Sequence, residues 1–132
     1  MFLYELNQTE KENFVSLAVD AANANGELAD EEYLMLQEYC REMLIPYFEA
    51  DRAKSVSEII PEFARSTARV KKIVIFELIG LLVADGKFDN KEKNFLKEFS
   101  NGIGVNDKEV DKLTDLFNEY MDLSKKISDT LG

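Results

Sequence analysis

Shifted by 60 residues, the chain matches itself. Ala24-Asn-Gly-Glu-Leu28 falls on Ala84-Asp-Gly-Lys-Phe88, Glu32 on Glu92, Leu36 on Leu96, Glu38 on Glu98 and Tyr39 on Phe99. Each copy, about residues 10–45 and 70–105, reads as an apolar helix, a short turn with glycine, an inward aliphatic or aromatic residue, an acidic cap and an amphipathic helix. The turn glycines Gly26 and Gly86 suit the left-handed position after a helix, which disfavours a residue with Cβ. Leu28 and Phe88 are expected to plug the two helix junctions. Such a pattern constrains the fold to two helical hairpins related by a pseudo-two-fold axis, with further helices between and after them.

The rest of the chain fills in a compact all-α bundle of about six helices. Thr9-Glu-Lys-Glu12 reads as a capping box. The first helix then runs to about Asn25, with Phe14, Leu17, Ala18 and Ala21 buried and Asn13, Ser16, Asp20, Asn23 and Glu27 wet. A second helix from Asp30 turns Leu36, Tyr39, Cys40 and Met43 inward and ends before Pro46. Val56, Ile59, Ile60 and Phe63 mark a short third helix, capped by Ser57 with Pro61 in its first turn. Thr67 starts a fourth, apolar nearly all round from Ile73, which belongs at the centre. Glu77 is expected at the rim of that helix, wet or paired. Asp89-Asn-Lys-Glu92 opens a fifth helix with Phe95, Leu96 and Phe99 inward, ended by Asn101-Gly102. Asn106-Asp-Lys-Glu109 opens the last, with Val110, Leu113, Phe117, Tyr120 and Ser124 on one side. The first and last few residues look unanchored. No Pro/Gly/Ser-rich linker divides the chain, so residues 1–132 read as one domain.

Composition excludes several functions. The chain carries 26 acidic and 16 basic residues, a net charge of −10, which opposes sequence-independent phosphate binding. There is no histidine, so neither a Ser–His nor a Cys–His pair can exist. The glycines are singletons at helix ends and cradle no phosphate, and an enzyme is not expected. The single cysteine, Cys40, rules out an intrachain disulfide and reads as a buried small hydrophobe. Met1-Phe-Leu-Tyr-Glu-Leu6 lacks the basic start of a signal peptide. The most apolar run, Ile73 to Ala84, is 12 residues long, against about 18–20 for a membrane span. Cytoplasmic location without membrane insertion is the expectation.

The repeated turn carries the only concentrated chemistry. Gly86, Phe88 and Glu92 fit the sixth, eighth and twelfth positions of an EF-hand loop, as do Gly26, Leu28 and Glu32. The first and third positions are Leu81 and Val83 in one copy and Ala21 and Asn23 in the other. Leu81, Val83 and Ala21 supply no side-chain oxygen, so a true EF-hand is not expected. A looser site is open: Asp30, Glu31, Glu32, Asp85, Asp89 and Glu92 gather at equivalent hairpin ends and can share a hard cation, Ca²⁺ or Mg²⁺. The bland reading is also open, because acidic residues in a first helical turn complement the helix dipole by about 0.3–1 kcal/mol each.

The stretch Ile79-Gly-Leu-Leu-Val-Ala-Asp-Gly-Lys-Phe-Asp-Asn-Lys-Glu92 resembles the tellurite-resistance protein TerB family, and Ala21 to Glu32 resembles that family's first helical pair. The resemblance covers roughly residues 10–125. It implies an all-α TerB-like fold with pseudo-two-fold halves, a place in cytoplasmic stress-response assemblies near membrane-bound partners, and divalent-cation binding through acidic residues. Asn25 stands where the family has Asp before Gly26, and Ala29 replaces the cap matched by Asp89. Both changes weaken the first side of a site built from the two copies.

The expected function is a non-enzymatic scaffold or interaction module of a bacterial tellurite-type stress response, with protein partners, no direct nucleic-acid contact, and a divalent cation as candidate ligand. The alternative is an acidic protein that binds or blocks a basic partner such as a nucleic-acid-binding protein. Its support is charge asymmetry: residues 1–66 hold 14 acidic and 5 basic groups (net −9), and residues 67–132 hold 12 and 11 (net −1).

Overall fold

In a computed structural model, the described residues are 1–24, 30–45, 54–84 and 88–132. Pro46, Asp85 and the turn residues Asn25, Gly26, Glu27, Leu28, Ala29 and Gly86 lie outside them. Among the described residues the chain forms a 3₁₀ turn (Leu3–Glu5) and six α-helices: α1 (Gln8–Ala22), α2 (Asp30–Glu42), α3 (Val56–Phe63), α4 (Ala68–Leu82), α5 (Asn90–Gly102) and α6 (Asp107–Leu131). This is the all-α bundle expected.

The helix boundaries carry the same offset as the sequence match. Both ends of α4 lie 60 residues after those of α1 (68 − 8, 82 − 22), and both ends of α5 lie 60 after those of α2 (90 − 30, 102 − 42). The turns that close α2 and α5 also correspond. Ile45 N–H donates to the Cys40 carbonyl at 2.8 Å, and Val105 N–H to the Ser100 carbonyl at 2.9 Å. Each is the six-to-one bond of a Schellman motif, which places one residue in the left-handed region. That residue is Gly104 (φ 87°) after α5 but Leu44 (φ 60°) after α2.

Local capping chemistry fixes most helix starts. Asp89 and Glu92 form the expected reciprocal box: Asp89 Oδ1 accepts from Glu92 N–H at 2.8 Å, and Glu92 Oε1 accepts from Asp89 N–H at 3.3 Å. Thr67 Oγ1 accepts from Val70 N–H, and Asn106 Oδ1 from Glu109 N–H at 2.9 Å. Two expected starts are corrected. Helix α1 begins at Asn7 rather than Thr9, with Asn7 and Glu10 exchanging two 2.9 Å hydrogen bonds. The sequence holds two overlapping boxes there, and asparagine is the stronger N-cap. Helix α3 is capped by Ser55, whose hydroxyl donates to Glu58 at 3.0 Å, not by Ser57. Pro61 therefore lies in the second turn, where its missing N–H removes one helical bond from this short helix.

The centre of the bundle is α4. From Ile73 to Leu82 every residue except Phe76 is buried. A helix apolar all round needs partners on every side, and α4 packs against α1, α2, α5, α6 and the 3₁₀ turn. Gly80 permits a close approach of α6 and α2: a Cβ there would sit 3.1 Å from the Phe117 ring of α6 and 3.4 Å from the Tyr39 hydroxyl. Among the described residues, no helix is long and apolar enough to cross a membrane.

Three further expectations change. The first residues are anchored, with Leu3 and Leu6 buried in the core. Asn13, expected on the wet face, is buried; its amide donates to Glu62 Oε2 at 2.7 Å, and its carbonyl accepts from Lys54 Nζ at 3.3 Å. Helix α3 covers this side of α1, and the buried amide is tolerated because both of its polar ends are bonded. At the other end of the chain, Tyr120 and Ser124 do not face inward: from Asn118 to Leu131 every residue of α6 is exposed. Helix α6 outruns the body it packs on.

Candidate functional site

The acidic residues at the two turns act first as helix-start groups. Asp30 and Glu31 are exposed in the first turn of α2, and Asp89 caps α5 at its surface. Glu32 and Glu92 occupy the same position in the two helices, and both are fully buried. Asp85 lies outside the described residues. Among those described, no group of three or more Asp, Glu or Cys side chains converges in a way that could hold a metal ion. Asp89 and Glu92 each already commit one oxygen to the α5 cap.

Beside each hairpin end lies a cleft, and the two clefts are lined by corresponding residues. One is formed by Asp20, Asn23 and Ala24 of the α1 end with Lys91, Asn94 and Phe95 of α5, and holds about 540 Å³. The other is formed by Gly80, Val83 and Ala84 of the α4 end with Glu31, Leu34 and Met35 of α2, and holds about 400 Å³. The second is also walled by Phe117 and Met121 of α6, which among the described residues has no counterpart at the first. Burial pushes the Asp20 carboxyl in the open cleft above its ordinary pKa.

The N-terminal segment reaches a polar group that sequence reasoning placed at the rim. Glu77 is only 5% exposed. Its Oε1 accepts from the Phe2 N–H at 3.0 Å and lies 3.0 Å from the Met1 amino group, which also pairs with Glu42 at 2.9 Å. Glu77 is thus paired, as expected, but covered by residues 1–6, which fold back over α4. Burial lowers the pKa of the Met1 amino group, and the Glu42 and Glu77 carboxylates outweigh it, leaving a net upward shift. Nearby, Arg69 makes a two-pronged pair with Glu5 at 2.7 and 2.8 Å, which holds the Glu5 carboxyl below its ordinary pKa. Cys40 is buried as expected, and burial raises its thiol pKa.

An apolar surface beside this segment is the feature sequence reasoning missed. Phe2, Ile73, Phe76, Leu113 and Leu116 line a groove of about 460 Å³, with Arg69 and Lys72 on its rim. It runs into the outer face of α6, where Leu116, Tyr120, Leu123 and Ile127 are 44–57% exposed. The signal was present: apolar residues continue at steps of three and four well past Phe117, the last buried residue of α6. The row leaves apolar side chains uncovered along a folded helix.

No family model and no curated protein matches this chain. Among solved structures it is similar to a tellurite resistance protein from Nostoc punctiforme, with a TM-score of 0.71 and 20% sequence identity. The match covers 98% of this chain and 87% of that one. At this identity the likeness establishes the architecture: the chain has the TerB-like all-α fold of a tellurite resistance protein.

Proposed function

We propose that the protein is a non-enzymatic interaction module of tellurite-type stress response, engaging protein partners through the groove and the outer face of α6. The observation that carries this reading is the exposed row of Leu116, Tyr120, Leu123 and Ile127 on a folded helix beyond the body of the bundle. The fold likeness to a tellurite resistance protein and the absence of histidine in the sequence support it from two other directions. To test it, a photo-reactive residue replaces Leu123, and a control replaces Lys125 on the far side of the helix. Cross-linked adducts from cells are expected at position 123 and not at 125. Equal yields at both, or none at 123, overturn the reading.

Divalent-cation binding is the finer part of the proposal. Its support is the placement of Asp30, Glu31 and Glu32 at the start of α2 and of Asp89 and Glu92 at the start of α5, with Asp85 preceding them in sequence. Thermal unfolding with and without millimolar Mg²⁺ or Ca²⁺ decides it. A ligand at 100 times its Kd adds about 2.7 kcal/mol; an unchanged midpoint with both ions removes this part.

A second reading, an acidic surface occupying a basic partner's site, is favoured by the net charge of −9 on residues 1–66 against −1 on residues 67–132. Such binding weakens steeply with salt. Recovery of the same partners at low and high salt counts against it.

A further inference from the structure

We propose that the occupant of the α6 face is a second copy of the chain, held by antiparallel pairing of the two α6 helices about a two-fold axis beside Tyr120 and Leu123. This rests on the interaction-module reading and names the partner of that surface.

Continuity of shape is the first argument. The groove at Leu113 and Leu116 and the exposed residue Ile127 lie on the same helix, 11 residues from Leu116 to Ile127 (127 − 116), or about 16 Å. An axis midway between them lays Ile127 of the partner subunit on Leu116, beside the groove, and the reverse contact follows by symmetry. The surface is then self-complementary, as a two-fold interface requires. Three turns of α6 that the body leaves uncovered become a shared seam.

The spacing is the second. Leu113, Leu116, Tyr120, Leu123 and Ile127 alternate at steps of three and four. This is the narrow seam of a two-helix coiled coil rather than the broader stripe of a helix facing a globular core.

Charge selects the direction. Glu119 and Lys126 flank the seam on the same side. In the antiparallel arrangement Glu119 lies beside Lys126 of the partner subunit, and the pair occurs twice. In a parallel arrangement the same two charges would face Ser124 and Leu131 and find no opposite sign. Steering of this kind sets partner orientation in coiled coils.

The test is the mass of the purified full chain in solution, by light scattering and sedimentation at about 20–200 µM, a range suited to a micromolar dimer. The wild type is expected at twice 15.1 kDa. Leu123→Glu, at an exposed position that leaves the fold intact by circular dichroism, is expected as a monomer across the range. Glu119→Lys weakens association about tenfold, as two like-charge contacts replace two attractive ones. Glu119→Lys combined with Lys126→Glu restores it. A monomeric wild type at 200 µM, an unchanged mass for Leu123→Glu, or a double variant as weak as Glu119→Lys overturns the proposal. A monomeric wild type whose position 123 still cross-links to a different protein overturns only the self-pairing and leaves the interaction-module reading standing.

Discussion

The hydroxyl of Tyr39 on α2 donates to the backbone carbonyl of Glu77 on α4 at 2.7 Å, in a buried setting. It ties the amphipathic helix of the first hairpin to the central helix of the second, and the ring also meets Phe14 of α1 edge-on at 5.4 Å. Removing the hydroxyl keeps the ring and strands one buried acceptor lobe. A neutral hydrogen bond is worth about 1 kcal/mol net. Tyr39→Phe is therefore expected to lower stability by about 1 kcal/mol, a drop of roughly 3–6 °C in Tm for a domain of this size, read by circular dichroism. An unchanged midpoint would show that the bond contributes nothing.

Gly80 sits against the Phe117 ring where α4 packs on α6. Alanine would gain about 1 kcal/mol of helix propensity, but its Cβ would press on the Phe117 ring at 3.1 Å. Overpacking costs about 1–3 kcal/mol, so Gly80→Ala is expected to destabilise by roughly 1 kcal/mol in urea unfolding. A stabilised variant would mean that α6 yields at no cost.

Leu44 holds φ at 60° in a turn whose counterpart uses Gly104, and its side chain is 88% exposed. The left-handed backbone costs a residue with Cβ about 1–2 kcal/mol, while glycine gives back roughly 0.5–1 kcal/mol through the unfolded chain. Leu44→Gly is expected to stabilise by about 0.5–1 kcal/mol in urea unfolding, and Gly104→Ala to destabilise. Effects of the same sign at both positions would contradict this account.

Asp20 is partly buried in the open cleft, and burial raises its pKa when folded. A raised folded value means that its contribution to stability is full below the unfolded pKa and is lost as pH rises through the folded one. Asp20→Asn is thus expected to raise Tm at pH 7 and to make no difference near pH 3, below the ordinary carboxylate range. A gain that stays constant across this range would assign the effect to packing instead of charge.

Much of this fold was legible in the sequence because helix periodicity and caps act over three or four residues. Asp89, Thr67 and Asn106 were found at the starts they occupy, and the apolar run from Ile73 pointed to the central helix. What escaped depends on distance along the chain. Asn13 looks like a wet-face residue until α3, 49 positions away, supplies Glu62 as its partner. Glu77 looks like a rim residue until the Phe2 N–H folds back to it. Where two caps of one residue type competed locally, as Ser55 against Ser57, the sequence did not choose between them, whereas Asn7 against Thr9 follows the stronger capping of asparagine. The acidic residues were legible as a set, and so was their role at helix starts. Among the described residues they form no group of three that could hold a metal ion, and spacing along a helix carries no information on the distance between two hairpin ends. The outer row on α6 was visible as spacing but was hidden behind the inward row that shares its helix.

The unequal treatment of the two clefts has a geometric consequence. Helix α6 walls the one beside Gly80 with Phe117 and Met121, and among the described residues the one beside Asp20 has no such wall. The matching inner linings of the two clefts therefore end in different surroundings. Among the described residues, one helix thus turns two clefts with corresponding linings into two different surfaces, one flanked by apolar side chains and one open beside a carboxylate.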